Sequence, residues 1–145
     1  MANLKSLIRY RTYQVDEKKK ILGRLFEKLS ELETQKKECH AAIERERNLL
    51  EQSEDIYASA AFDHFRKAMQ GKIQSIERAI MDLEIKIEKA QEDLRERFAE
   101  LKKAEITQKR RDDEEKKEAL SKENTIMDEI GTDTFLRKTN EDKYS

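Results

Sequence analysis

Apolar residues fall along this chain at alternating steps of four and three, and they do so twice. The first run is Leu4, Ile8, Arg11, Val15, Lys18, Leu22, Leu25, Leu29, Leu32, Lys36, Cys39, Ile43, Glu46 and Leu50, apolar at ten of its fourteen positions. Such spacing is a heptad seam, the stripe that one helix presents to another. Between Ser53 and Ala61 the pattern stops. It resumes at Ile73, Ile76, Ile80, Leu83, Ile87, Ala90, Leu94, Arg97, Leu101 and Ala104, with only Arg97 polar. Two seams separated by a break are able to close on each other, and a mean spacing near 3.5 predicts a left-handed supercoil. The predicted fold is all-α: a long antiparallel two-helix coiled-coil hairpin with an extended C-terminal helix.

The pattern also sets expected boundaries. Helix one is expected from Asn3, an N-cap residue type, to about Tyr57, a length of roughly 80 Å at 1.5 Å per residue. The hairpin turn is placed near residues 58–60, with Ser53, Ser59 and Asp63 as its local signals and no glycine or proline to fix it. Folding back there sets Leu25 level with Gln91 and Leu4 level with Asp112. Beyond Ala104 the register reads Gln108, Arg111, Glu115, Glu118 and Lys122, so helix two runs on with no seam to cover. Acid-before-base pairs four apart, such as Asp112 with Lys116, lend it local support. Ile126, Met127 and Ile130 form a small apolar patch, and Gly131 is the expected helix stop. The domain scheme is a hairpin over 1–131 and a flexible C-terminal tail over 132–145.

Composition changes this picture little. Hydrophobic content of 36% and charged content of 43% stand far from the globular averages of about 45–50% and about 25%, which argues against a thick core. Disordered chains share such numbers but lack a sustained hydrophobic period. With no proline and three glycines, almost nothing interrupts a helix. The formal charge is −1, so there is no general pull toward nucleic acid or anionic lipid. The sign is nevertheless uneven: Met1 to Arg24 holds seven bases against two acids, and Arg111 to Glu129 holds eight acids against four bases.

A single cysteine cannot form an internal disulfide and suits a reducing compartment. Lys5 and Arg9 interrupt the opening residues, so no secretory signal core is expected there. No stretch approaches the ~20 apolar residues that span a bilayer. The reading is of a cytoplasmic protein.

No constellation supports catalysis. His40 and His64 fall on different helices, no Gly-rich phosphate loop is present, and Cys39 and His40 point about 100° apart on one helix. Cys39 is read as a small apolar filler of the seam. Ile8 to Gln14 mixes Arg9 and Arg11 with Tyr10 and Tyr13; such residues stack on and pair with nucleic acid, but they are also favoured anchors of protein interfaces, and that reading is preferred. Gly23 and Gly71 are either tolerated or mark a close backbone approach. Phe62, Phe65 and Met69 either cap the end of the coiled coil or form a binding tip.

The blocks LIRYRTYQVDEKKK near the start, IQSIERAI after the turn, and FAELKKAEITQKRRDDEEKKEA followed by MDEIG resemble, in this order, the flagellar FliJ family, the small coiled-coil component of the type III flagellar export ATPase complex. The resemblance implies a hairpin similar to the shaft of rotary ATPases. It implies that the end holding both termini enters the pore of a hexameric ATPase, promotes ring assembly and helps couple ATP hydrolysis to export. The residues expected to meet that ATPase are Arg9, Tyr10, Arg11, Tyr13, Ile126, Met127 and Ile130. Family members also contact the export gate membrane protein just beyond the turn, and the matching face here is Lys72, Ile76, Ala79 and Leu83, where Lys72 replaces an aromatic residue of relatives.

The seam register puts Ile76 and Leu83 toward helix one, in tension with that face. The expected function is a non-catalytic stalk and coupling protein of the flagellar export apparatus. Export chaperones are further candidate partners. No cofactor, metal, nucleic acid or direct membrane insertion is expected. The free protein is expected to be a monomer in the cytoplasm, peripheral to the inner membrane at the base of the flagellum. Two alternatives stay open: the equivalent stalk of a virulence-type secretion apparatus, and a general coiled-coil adaptor forming parallel dimers through helix one.

Overall fold

Without proline, and with few glycines, the backbone stays helical wherever side chains or local bonds support it, and in the computed structural model it does so almost throughout. The structure describes the backbone of residues 3–144 and the side chains of residues 3–141. Two helices make up the fold, α1 (Lys5–Glu51) and α2 (Ala58–Tyr144), with no strand among the described residues. They pack against each other as the hairpin that the two seams predict. At the start of α1 the Asn3 side chain acts as the expected cap, its Oδ1 accepting a 3.0 Å hydrogen bond from the Lys5 N–H.

Contacts divide the chain into two units, Arg11–Ala99 and a second made of Met1–Tyr10 with Glu100–Ser145. In Arg11–Ala99 the core is Val15, Cys39 and Ile43 of α1 with Ile73, Ile76, Leu83, Ile87 and Ala90 of α2. All are seam positions. The polar residues of this seam are accommodated at its edge: Lys36 Nζ lies 3.3 Å from Glu77 Oε1, and Lys18 Nζ lies 3.8 Å from Asp93 Oδ2. Both lysines keep their aliphatic stems half-buried while the ammonium groups reach an acid of the other helix. Glu46 is the exception, a seam position that is exposed.

In the second unit Leu101 and Ala104 are buried, Leu4 and Ile8 are half-buried, and the Leu4 N–H donates to Gln108 Oε1 at 2.9 Å. Past Arg111 every described residue of α2, from Asp112 to Glu141, is exposed.

Three boundaries differ from expectation. First, α1 ends at Glu51 rather than near Tyr57, and the turn occupies residues 52–57 rather than 58–60. Two side chains explain this by taking backbone donors that a helix would use: Ser53 Oγ accepts from the Asp55 N–H at 3.2 Å, and Asp55 Oδ1 accepts from the Tyr57 N–H at 2.9 Å. The Asp55 carbonyl also receives the Ala58 N–H, so Ser53 draws the chain off α1 and Asp55 launches α2.

Second, the earlier turn displaces the pairing by about one helical turn. Leu4 meets Gln108 rather than Asp112, and in the other unit the Lys18–Asp93 and Lys36–Glu77 pairs put Leu25 level with Ile87 rather than Gln91. A slip of this size returns seam to seam, which is why the buried positions were foreseen although the register was not.

Third, Gly131 does not stop α2. No glycine has the positive φ that such a stop requires, and the helix continues to Tyr144, so the expected tail is helical over its described part; Ser145 lies outside the described residues. Thr132, Thr134 and Thr139 each turn a hydroxyl back to the carbonyl four residues earlier. A close backbone approach at Gly23 or Gly71 is also excluded, since a Cβ built on either meets nothing within 4 Å.

Candidate functional site

The residues expected to meet an ATPase fall into separate places. Arg9 and Tyr10 are exposed on the second turn of α1, in the unit that also contains the C-terminal part of α2. Within that unit Gln108 marks the level of Leu4, and from Gln108 to Ile126 the helix rises roughly 27 Å. Ile126, Met127 and Ile130 are therefore well beyond the start of α1, all more than half exposed. They form a patch of their own on an unaccompanied helix, together with Leu120 one heptad before Met127. In the other unit Tyr13 is exposed, and Arg11 is half-buried with Nη1 donating to Gln14 Oε1 at 3.0 Å.

The face expected to meet the export gate divides in the same way. Lys72 is exposed and Ala79 half-buried, whereas Ile76 and Leu83 retain 6% and 7% of their surface. They are one heptad apart and both occupy the seam. What α2 does expose here is Met81 and Ile85, at 64% and 67%, four residues apart on one side of the helix. The sequence carried a signal for them, since both are apolar at positions outside the heptad stripe. Ala79 and Leu83 instead line a groove of about 330 Å³ with Leu32, Gln35, Lys28 and Lys86.

Near the turn, Phe62, Phe65 and Met69 pack against the cluster of Cys39, Ile43, Ile73 and Ile76. They extend the core to the end of the hairpin, where the Arg47 guanidinium lies 6.0 Å from the centroid of the Phe62 ring. Cys39 is a buried filler, while His40 and His64 are exposed. Among the described residues no group of His, Cys, Asp and Glu is arranged to hold a metal ion, and no helix is long and apolar enough to cross a membrane. The arrangement offers contact surfaces: an apolar and a basic aromatic stretch at the chain ends, an exposed apolar pair on α2, and the turn.

Over residues 1–140 the chain matches the family described as Flagellar FliJ protein. No curated protein matches it, and no solved structure does.

Proposed function

Because the chain belongs to the flagellar FliJ protein family, whose members are non-catalytic components of flagellar protein export, we propose that it is the stalk and coupling protein of that apparatus. In this reading its terminal end binds the hexameric export ATPase. The observation that carries it is the bare continuation of α2, in which Leu120, Ile126, Met127 and Ile130 remain exposed on a helix with no partner over Asp112 to Glu141. A single helix in water gains little from such residues, and a surrounding protein wall would bury them. Arg9, Tyr10, Arg11 and Tyr13 add guanidinium and phenol groups suited to an interface.

The second contact, with the export gate membrane protein, is assigned to α2 just past the turn. There Lys72 and the edge of Ala79 are accessible, and Ile76 and Leu83 act by holding that stretch against α1. Because the seam of α1 is filled by α2 of the same chain, the free protein is read as a monomer rather than a parallel dimer. It works in the cytoplasm at the inner-membrane base of the flagellum, with export chaperones as further partners.

The test is co-purification with the export ATPase and stimulation of its ATP hydrolysis. Reversing charge with Arg9→Glu and Arg11→Glu is expected to reduce the stimulation severalfold while leaving the helical circular dichroism unchanged. A folded protein that neither binds nor stimulates the ATPase would remove the reading.

A further inference from the structure

Beside the turn, α1 and α2 border an open cleft of about 370 Å³, lined by the polar Glu46 and Ser53 as well as by Leu49, Leu50, Phe62 and Phe65. Leu49 of its wall is more than half exposed, and the adjoining turn exposes Ile56 at 83% and Tyr57 at 74%. Its charge is one-sided. From Glu51 to Asp63 there are four acids, Glu51, Glu54, Asp55 and Asp63, and no Lys or Arg. The nearest bases are engaged locally, Arg47 with Glu44 at 3.1 Å and with the Phe62 ring, and Arg66 with Asp63 at 3.6 Å. Glu46 adds a carboxylate to the wall of the cleft, and α1 has no basic residue in its last turn to offset its carbonyl end.

A cleft that sets Leu and Phe side chains beside the Glu46 carboxylate, next to a turn rich in acids, suits a ligand that is apolar on one side and basic at its margins. Two other occupants fit badly. A second copy docking turn to turn would bring Glu51, Glu54 and Asp55 against themselves, and an anionic lipid surface would meet the same repulsion. We propose that this cleft receives a basic amphipathic segment of a partner protein, its aliphatic side chains entering between Leu50 and Phe62 and its lysines or arginines meeting Glu46, Glu51 and Glu54. The surface is separate from the terminal end assigned to the ATPase and from the Lys72 face of α2, and it stands on its own geometry whether or not those assignments do.

The experiment uses the full chain and a short fluorescein-labelled helical peptide with leucines on one face and lysines flanking them. Saturable binding is expected, weakening as salt is raised. Glu51→Gln with Glu54→Gln should weaken it about fivefold or more. Leu49→Ala should weaken it independently, with helicity unchanged in each variant. A photo-crosslinker on the peptide should label residues 46–65 of the unaltered protein, which checks the site without substitution. The proposal is overturned if the peptide does not bind, if a peptide with glutamates in place of the lysines binds equally, or if the crosslinks fall elsewhere. It is equally overturned if phosphatidylglycerol vesicles compete for the cleft, or if the charge-neutralised variant loses a dimer that the parent forms.

Discussion

Between Ile73 and Ala104, α2 places a seam residue at every third or fourth position, and each of these is buried or half-buried. Between Asp112 and Glu141 the same helix carries Leu120, Ile126, Met127 and Ile130, yet every residue is exposed. Backbone geometry is the same in both stretches, so the difference lies in what the side chains have to touch. The first is held by packing against α1. In the second, the threonine hydroxyls turned onto the carbonyls four residues back lend the helix no support, which leaves local side-chain pairs, such as Gln108 Nε2 donating to Asp112 Oδ1 at 2.8 Å. Isolated helices depend on such small increments, and each is worth a few tenths of a kcal/mol. A partner gains most by acting on the second stretch.

The largest expected contrast is therefore between two apolar truncations on one helix. Ile76→Ala removes a side chain from the buried cluster with Cys39, Ile43 and Ile73 and is expected to lower the unfolding free energy by about 2–4 kcal/mol. Met127→Ala is expected to change it by less than about 0.5 kcal/mol, because nothing is packed on that side chain. Urea unfolding followed by far-UV circular dichroism measures both. Equal losses at the two sites would mean that the continuation of α2 melts together with the hairpin, and the contrast drawn above would be wrong. Binding of the ATPase should make Met127→Ala costly while leaving the effect of Ile76→Ala as it was.

The two stretches also differ in how much of them could be read from the sequence. In the hairpin the buried positions were legible one by one, from Val15 through Ala104, because a heptad period over so many turns admits a single apolar face. The turn was not legible. It hangs on Asp55, which captures the Tyr57 N–H, and one aspartate in an unpatterned loop is a signal no period reveals. With the turn misplaced, the register slipped by one helical turn, a shift that still sets one seam against the other. Gly131 misled for the converse reason: glycine permits the left-handed stop but does not impose it, and no proline follows. For the candidate surfaces, the seam register already placed Ile76 and Leu83 inward. The exposed pair Met81 and Ile85, and the cleft beside the turn, depended on which faces the packed helices leave open.

Asp55→Ala tests the turn itself. Losing the carboxylate removes the acceptor of the Tyr57 N–H, a capping bond of the kind worth about 1 kcal/mol. The hairpin should be destabilised by about that amount, with α1 free to extend past Glu51. The Gln52 and Ser53 N–H groups already meet the Leu49 and Leu50 carbonyls, so slowed amide hydrogen exchange at Glu54 would show the extension, whereas an unchanged unfolding midpoint would place the turn's control elsewhere.

The smallest contrast uses the three glycines, which sit in helix and leave open space where a Cβ would be. Replacing glycine by alanine in an exposed helical position removes backbone freedom from the unfolded chain and is expected to stabilise the helix by about 0.5–1 kcal/mol. For Gly23→Ala and Gly71→Ala that gain should appear in the unfolding midpoint of the hairpin, because both residues belong to helices whose seams are closed. For Gly131→Ala the same local gain has no packed neighbour to pass it on. Its helical signal should rise at low temperature while the hairpin midpoint stays where it was. If Gly131→Ala moved that midpoint as far as Gly71→Ala does, the continuation of α2 would have to be coupled to the core after all.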